Sequence, residues 1–214
     1  MSLYLHNLIV QGEHQRLDFK YEISDAKKIA RTFSAFANTQ GGTLLIGVKD
    51  NGNIVGVRTD EEEYMAEAAA HIYCKPRVEY KIRHHKVNEK TVLEVVIPES
   101  KKKPHRAPWK DDTFKAFVRV NDQNFLADTV LLEAWKIRHH HKKLLVRYDN
   151  QEQALFQLLR EHSQITLRDY TNACQIKRRA AIHILAQLIL VKAIDYRITE
   201  KETYYYLPSD PHQL

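Results

Sequence analysis

The apolar positions change period several times along the first 140 residues, and each change marks an element. Residues 3–10 suit a short helix. Arg16-Leu17-Asp18-Phe19-Lys20-Tyr21 alternates apolar and polar side chains, the period of a half-buried strand. Ser24 then caps a helix whose Ile29, Phe33, Phe36 and Ala37 recur at helical spacing, and Gly41-Gly42 stops it. Thr43-Leu44-Leu45-Ile46-Gly47-Val48 is a continuous apolar run, which predicts a strand buried on both faces. Asp50-Asn51-Gly52-Asn53 is a hairpin turn, with Ile54-Val55-Gly56-Val57 pairing back. Thr59 or Asp60 opens the next helix, with Glu62 or Glu63 completing a capping box. Glu61, Glu62 and Glu63 suit the positive end of that helix and are read as a solvated terminus rather than a metal site. Strands are expected over roughly 77–87, 91–98 and 114–120, with Pro98, Pro104 and Pro108 bounding an irregular basic loop. A helix from Ala127 to His141 carries Val130, Leu131, Ala134 and Trp135 inward. It ends in Arg138-His139-His140-His141-Lys142-Lys143, cations at the negative end of a helix dipole.

The pattern changes character after a joint near residues 143–150. Gln151–Glu161 presents Ala154, Leu155, Leu158 and Leu159 on one face, Thr166 caps a short helix to Ala173, and Lys177–Val191 carries Ala180, Ala181, Ile184, Leu185, Leu188 and Ile189 inward. Two β-rich pieces, Ala193–Thr199 and Thr203–Leu207, close the chain. The expected architecture is therefore α+β, with a mixed-sheet domain over 1–143 and a small helical domain over 144–214. Three helices followed by a two-strand hairpin are the layout of a winged helix-turn-helix, and Ile165-Thr166, Ala173, Ala180-Ala181, Leu185, Leu188, Ile194 and Tyr204-Tyr205-Tyr206-Leu207 resemble that family. The chain lacks the glycine that such domains often carry where the third helix ends, here Lys192-Ala193.

Charge sharpens this picture. The 214 residues carry 33 Lys+Arg against 27 Asp+Glu, a net +6. Residues 75–110 hold 11 basic and 4 acidic side chains, and residues 136–147 hold 5 basic and none acidic. Two basic blocks in a balanced chain are a footprint for a polyanion, with a solvated lysine-rich surface as the plainer alternative. The start lacks the features of a secretory signal, and the longest apolar stretch, Leu188–Val191, falls far short of the roughly 20 residues of a membrane span. Two cysteines, Cys74 and Cys174, are too few for a disulfide framework or a cysteine-based zinc site. The expected setting is cytoplasmic, with no membrane partner.

All six glycines lie within the first 56 residues, which raises the question of a phosphate loop. No Gly-Lys-Ser or Gly-Lys-Thr occurs, and Gly41-Gly42 follows a helix and precedes a strand, the reverse of the dinucleotide-binding order. The run instead resembles the Schlafen/AlbA-type DNA-binding domain of bacterial proteins. The matching residues are Gly12-Glu13, Leu17-Asp18-Phe19-Lys20, the stretch Ala35-Phe36-Ala37-Asn38-Thr39-Gln40-Gly41-Gly42-Thr43-Leu44-Leu45-Ile46-Gly47-Val48, and Asp50 through Val57. Further on come Lys103-Pro104-His105 and Phe117-Val118-Arg119-Val120. The resemblance implies a compact α+β domain, often fused to winged helices in regulator-like proteins, and nucleic-acid binding. One branch of that family resembles a ribonuclease with three metal-binding carboxylates. Carried over, Glu13 matches the first and Asp18 the second, usually Glu. The third would follow Gly47-Val48, where this chain has Lys49 and then Asp50. That implies Glu13, Asp18 and Lys20 as catalytic residues and Glu13, Asp18 and Asp50 around Mg²⁺ or Mn²⁺, a cofactor only in this nuclease reading.

The leading expectation is a DNA-binding transcriptional regulator. Gln175, Lys177, Arg178 and Arg179 would stand where the second helix of a helix-turn-helix meets base edges and phosphates, with Arg197 and Lys201 on the hairpin. Lys101, Lys102, Lys103, Arg106 and Lys110 would hold backbone. The alternatives are a metal-dependent endoribonuclease and a non-catalytic module that homodimerises. The twelve histidines, including His84-His85 and His139-His140-His141, lack a metal-binding i, i+4 pair and are read as cationic-leaning surface, with more positive charge below about pH 6.5.

Overall fold

The computed structural model describes residues 2–57, 59–140 and 148–208. His141, Lys142 and Lys143 and the expected joint to residue 147 lie outside the described residues. The chain divides into two units, 1–126 and 127–214.

The first unit is built on a four-stranded sheet of β1 (Leu17–Lys20), β2 (Gly42–Ile46), β4 (Lys90–Ile97) and β3 (Lys81–Val87), in that spatial order. β1 and β2 are parallel and the other pairs antiparallel. Period-two alternation sends Leu44 and Ile46 into one core and Leu45 into another, so β2 is buried on both faces as its apolar run requires. α1 (Leu3–Gln11) contributes Leu5 to the core on one face, together with Leu17, Phe19 and Val92. α2 (Ala26–Asn38) and α3 (Glu61–His71) supply Ile29, Phe33, Phe36, Ala66 and Ala70 to the core on the other.

Asp25, not Ser24, is the N-cap of α2, its carboxylate accepting from the amides of Lys27 and Lys28. At the far end Gly41 takes φ +70° and donates its amide to the Phe36 carbonyl, and a Cβ there would lie 2.7 Å from the Ile97 oxygen. The Asp50–Asn53 turn closes through Lys49 N to Asn53 O, but Ile54 and Val57 make single bridges, to Val48 and Thr91, rather than a paired strand.

A second sheet of β5 (Arg106–Pro108), β6 (Phe114–Val120) and β7 (Gln123–Leu126) packs on α2. Its junction with the helix is polar. The Asn38 amide donates to the carbonyls of His105 and Phe117 and its oxygen accepts from the His105 amide, while Ser34 Oγ donates to the His105 carbonyl. These buried bonds satisfy backbone groups that no strand partner reaches. The His105 ring is fixed with them. Nδ1 lies 2.8 Å from the Pro76 carbonyl, which can only accept, so Nδ1 carries the proton and Nε2 accepts from Ser100 Oγ at 2.7 Å.

The second unit contains α4 (Thr129–His140), α5 (Asn150–Glu161), β8 (Ile165–Thr166), α6 (Leu167–Ala173), α7 (Arg178–Leu190), β9 (Asp195–Ile198) and β10 (Thr203–Tyr206). The last two strands pair antiparallel, and β8 joins the free side of β10. The unit begins at residue 127, earlier than the expected joint near 143. Val130, Ala134 and Ile137 of α4 share one core with Leu155, Tyr170, Leu185 and Tyr205, so the helix belongs here by packing. Tyr205 donates its hydroxyl to Asp128 at 2.9 Å. The missing glycine after α7 is replaced by Lys192 at φ +59°, with the amides of Lys192 and Ala193 turned back to the carbonyls of Ile189 and Leu188.

Two outcomes follow. Lys192→Gly should raise stability by up to about 1 kcal/mol in urea unfolding, since it removes a left-handed strain without removing a buried contact. Burial holds the His105 imidazole below its ordinary value, helped by Lys103 and Lys102 and opposed by the Pro76 hydrogen bond. The unfolded chain therefore binds a proton below about pH 6.5 that the folded chain refuses. Stability is complete above that pH and falls as pH drops toward the lowered folded value. His105→Gln should flatten the dependence of Tm on pH between about 7 and 5, and an unchanged slope would show the imidazole is not its source.

Candidate nucleic-acid interface

Because Leu17 and Phe19 of β1 face the α1 side, Asp18 and Lys20 face α2. Asp18 is therefore 3% exposed, not half-solvated as its alternating pattern predicts. Arg119 of β6, equally buried, meets it: Nη2 lies 2.9 Å from Asp18 Oδ1. Lys20 Nζ lies 3.0 Å from Asp18 Oδ2, an ion contact outside hydrogen-bond geometry, which leaves Oδ2 without a hydrogen-bond partner. Arg119 also donates Nη1 to Asn124 and Nη2 to the Leu17 carbonyl, and its guanidinium lies 5.2 Å from the Phe36 ring centre. Glu13 stands beside this pair, accepting the Phe19 amide at 2.8 Å, with Lys20 Nζ 3.9 Å away. Burial pushes the Glu13 carboxyl up, as does the neighbouring Asp18, while the Phe19 amide and Lys20 pull it down.

The structure thus brings Glu13, Asp18 and Lys20 together as a charge cluster in which Asp18 is buried and Glu13 and Lys20 are part-exposed. Asp50 does not join them: it is exposed in the turn that begins at Lys49. Among the described residues no three His, Cys, Asp or Glu side chains are grouped to hold a metal ion. The residues present do not fit Mg²⁺ or Mn²⁺, because Arg119 and Lys20 already supply positive charge to both Asp18 oxygens and a third carboxylate is missing. Arg119 is the residue that sequence reasoning alone does not single out. Its strand pattern marks it as a matching position, but nothing local announces a partner 101 residues away.

The residues expected to contact nucleic acid differ in their commitments. Lys101, Lys102, Arg106 and Lys110 are exposed. Lys103 is committed to structure, its Nζ donating to Glu99 at 2.6 Å and to the Thr39 carbonyl at 3.0 Å. In the second unit Gln175 is exposed in the turn between α6 and α7 at φ +48°, with buried Ile176 pinning that turn. Lys177 is the N-cap of α7, and Arg178 and Arg179 follow it, all three exposed. Arg197 donates to Gln164 at 2.6 Å and lies over the Tyr204 ring, and Lys201 is exposed at the hairpin tip.

Three histidines expected to add positive surface are instead paired. His84 meets Glu63 at 2.9 Å, His85 meets buried Glu94 at 2.7 Å, and His183 meets Glu133 at 3.2 Å. Glu94 also accepts from the Tyr4 hydroxyl. Burial pushes the Cys74 thiol up to about 12, so it is no nucleophile.

Removing one member of the buried pair should be severe. Arg119→Met is expected to lose about 3–5 kcal/mol, since it strands a buried carboxylate. Adding Asp18→Leu should return much of that loss. Urea unfolding of the single and double variants measures both, and simple additivity would show that the two groups do not depend on each other.

Among the described residues no helix is long and apolar enough to cross a membrane. No curated protein matches the chain. Two solved structures are similar in part. The DIP2311 protein from Corynebacterium diphtheriae has a TM-score of 0.46 and 18% identity, over 63% of this chain and 32% of that one. This chain therefore spans about a third of that protein's length. The N-terminal domain of a RecG-related protein from Nitrosomonas europaea has a TM-score of 0.41 and 21% identity, over 68% of this chain and 97% of that domain. Residues 13–128 match the family described as Schlafen, AlbA_2, which takes in more than half of the 214 residues: the chain belongs to the Schlafen, AlbA_2 family.

Proposed function

We propose that the protein is a DNA-binding transcriptional regulator whose second unit is a winged helix-turn-helix. Family membership supports a nucleic-acid-related role. The order α5, β8, α6, α7 and the β9–β10 hairpin, with β8 on the sheet, supports the winged-helix reading. The observation that carries the reading is the start of α7. A helix N-terminus favours acidic side chains, because its amides leave a partial positive charge there. α7 has none in its first turn and instead begins Lys177-Arg178-Arg179, with no ion pair to any of the three among the described residues. Each such cation is unfavourable by about 0.3–1 kcal/mol in the free protein. An anion held at this end would reverse that sign, and DNA phosphates supply one.

In this reading α7 lies in the major groove. Gln175 and Arg179 have the chemistry to read adenine and guanine edges, Lys177 and Arg178 take phosphates, and Lys201 and Arg197 reach the flanking backbone from the hairpin. Glu13, Asp18 and Lys20 hold the first unit together and are assigned no cleavage step.

Duplex affinity should fall steeply with salt. Replacing Lys177, Arg178 and Arg179 together by alanine should reduce the slope of log K against log[salt] by about 3, near 0.9 for each phosphate no longer neutralised. The same variant should unfold at equal or slightly higher urea concentration, because like charges leave a positive helix end. Fluorescence anisotropy with a labelled duplex and a parallel unfolding curve test both halves. Binding unaffected by the triple change would overturn the reading.

A further inference from the structure

The smaller core of the first unit, on the α1 side of the sheet, is open at one end. α1, the turn at residues 52–54 and the β3–β4 hairpin meet there around a cavity of about 430 Å³. That volume falls within the roughly 300–1,000 Å³ usual for small-molecule sites. Ile9, Val10, Ile54 and Val87 form its apolar wall. Val87 belongs to the core around Leu5 and Phe19, and Ile9 and Ile54 pack against that core, so the wall is held from behind. Two local devices shape it. Gly52, at φ +80°, comes so close to α1 that a Cβ there would lie 2.9 Å from Ile9 Cγ2. Asn88 and Glu89, at φ +45° and +63°, make the two-residue β3–β4 turn, which sets Val87 directly opposite Lys90. Opposed residues share one face of a sheet, so Lys90 is carried to the α1 side with Val87. Its Nζ donates to the Ile54 carbonyl at 3.0 Å, which holds the ammonium beside the wall. Lys90 and His6 are the ionisable residues of the lining, and no carboxylate shares it. Asp50 and Glu89, close by in sequence, are exposed and do not line the cavity.

We propose that this cavity binds a small amphipathic anion, a monocarboxylate with an apolar body. The lining sets the class. The wall of Ile9, Val10, Ile54 and Val87 takes up apolar surface that water would otherwise cover. An ammonium carries three donors; one serves the Ile54 carbonyl, and the others can turn to a carboxylate. The side-chain amides of Asn53 and Asn88 and the His6 ring supply further donors for the second carboxylate oxygen. The same cation repels an ammonium ligand and leaves a neutral alcohol with the apolar part of the binding alone. An occupant extends the core to which Val87 belongs, so binding to the folded chain raises its thermal stability. The inference takes nothing from the nucleic-acid reading and uses none of its residues.

The test titrates the full chain, isotope-labelled for amide NMR, with three probes of equal chain length: octanoate, octanol and octylamine. Octanoate should move the amide signals of Gly52, Asn53 and Asn88 and raise Tm as its concentration rises. Octanol should bind about 10-fold or more weakly, and octylamine more weakly still. Lys90→Met keeps an aliphatic stem and removes the charge, so octanoate should fall to the level of octanol while octanol itself stays within about 2-fold. Lys90→Arg should retain the preference for the anion. Val10→Trp adds bulk at a position 70% exposed, outside the buried core, and should weaken all three probes. Amide signals of Gly52, Asn53 and Asn88 that octanoate leaves in place would overturn the site. Equal affinity for octanoate and octanol, or octanoate binding untouched by Lys90→Met, would overturn the assignment to an anion and with it the proposal.

Discussion

The contact between Arg119 and Asp18 governs the first unit. It joins the edge of the four-stranded sheet to the smaller sheet, and both partners are 3% exposed. A charge taken that far from water needs close partners. The surrounding sequence supplies them: Asn124 accepts from Arg119 and donates in turn to Thr32, and Gln15 bonds the Arg119 carbonyl and the Asn121 amide. Arg119 Nε stays unsatisfied, and the ring of Phe36 lies against the guanidinium instead. The result is a fixed geometry more than a strongly stabilising one, because desolvation offsets most of the attraction.

Much of the fold was legible in the sequence because it rests on local period and local chemistry. α2, β2, β4 and β6 follow from spacing that a single stretch of chain carries, and the left-handed turn at Gly41 from a residue with no Cβ. What was not legible depends on residues far apart. Asp18 looks exposed by alternation, and only Arg119 explains its burial. β5 is three residues long and exists because Arg106 pairs with Lys75 on one side and Ala116 on the other. The absent glycine after α7 misleads in another way, since Lys192 accepts the left-handed conformation at a modest energetic cost. Of the candidate site, the cation types were readable and their commitments were not. Lys103 and Arg106 are three residues apart, yet one is locked to Glu99 and Thr39 and the other is exposed.

The two units display positive charge in different ways. At the start of α7 the cations stand on a helix end that already repels them, so a dense anion is the natural counterpart. In the first unit Arg31 lies over the Trp109 ring and Lys75 over the Phe114 ring. His84, His85 and His183 each face a carboxylate rather than open solvent alone.

The membership of α4 in the second core has a meaning for how such chains are assembled. Val130, Ala134 and Ile137 close the hydrophobic centre that Leu155, Leu185 and Tyr205 build, and Asp128 receives the Tyr205 hydroxyl. A cut after Leu126 leaves each core whole, whereas a cut near residue 143 strips three apolar side chains from one and leaves them exposed on the other. The packed module is thus four helices and a small sheet, in which α4 shares its core with the helices that follow it.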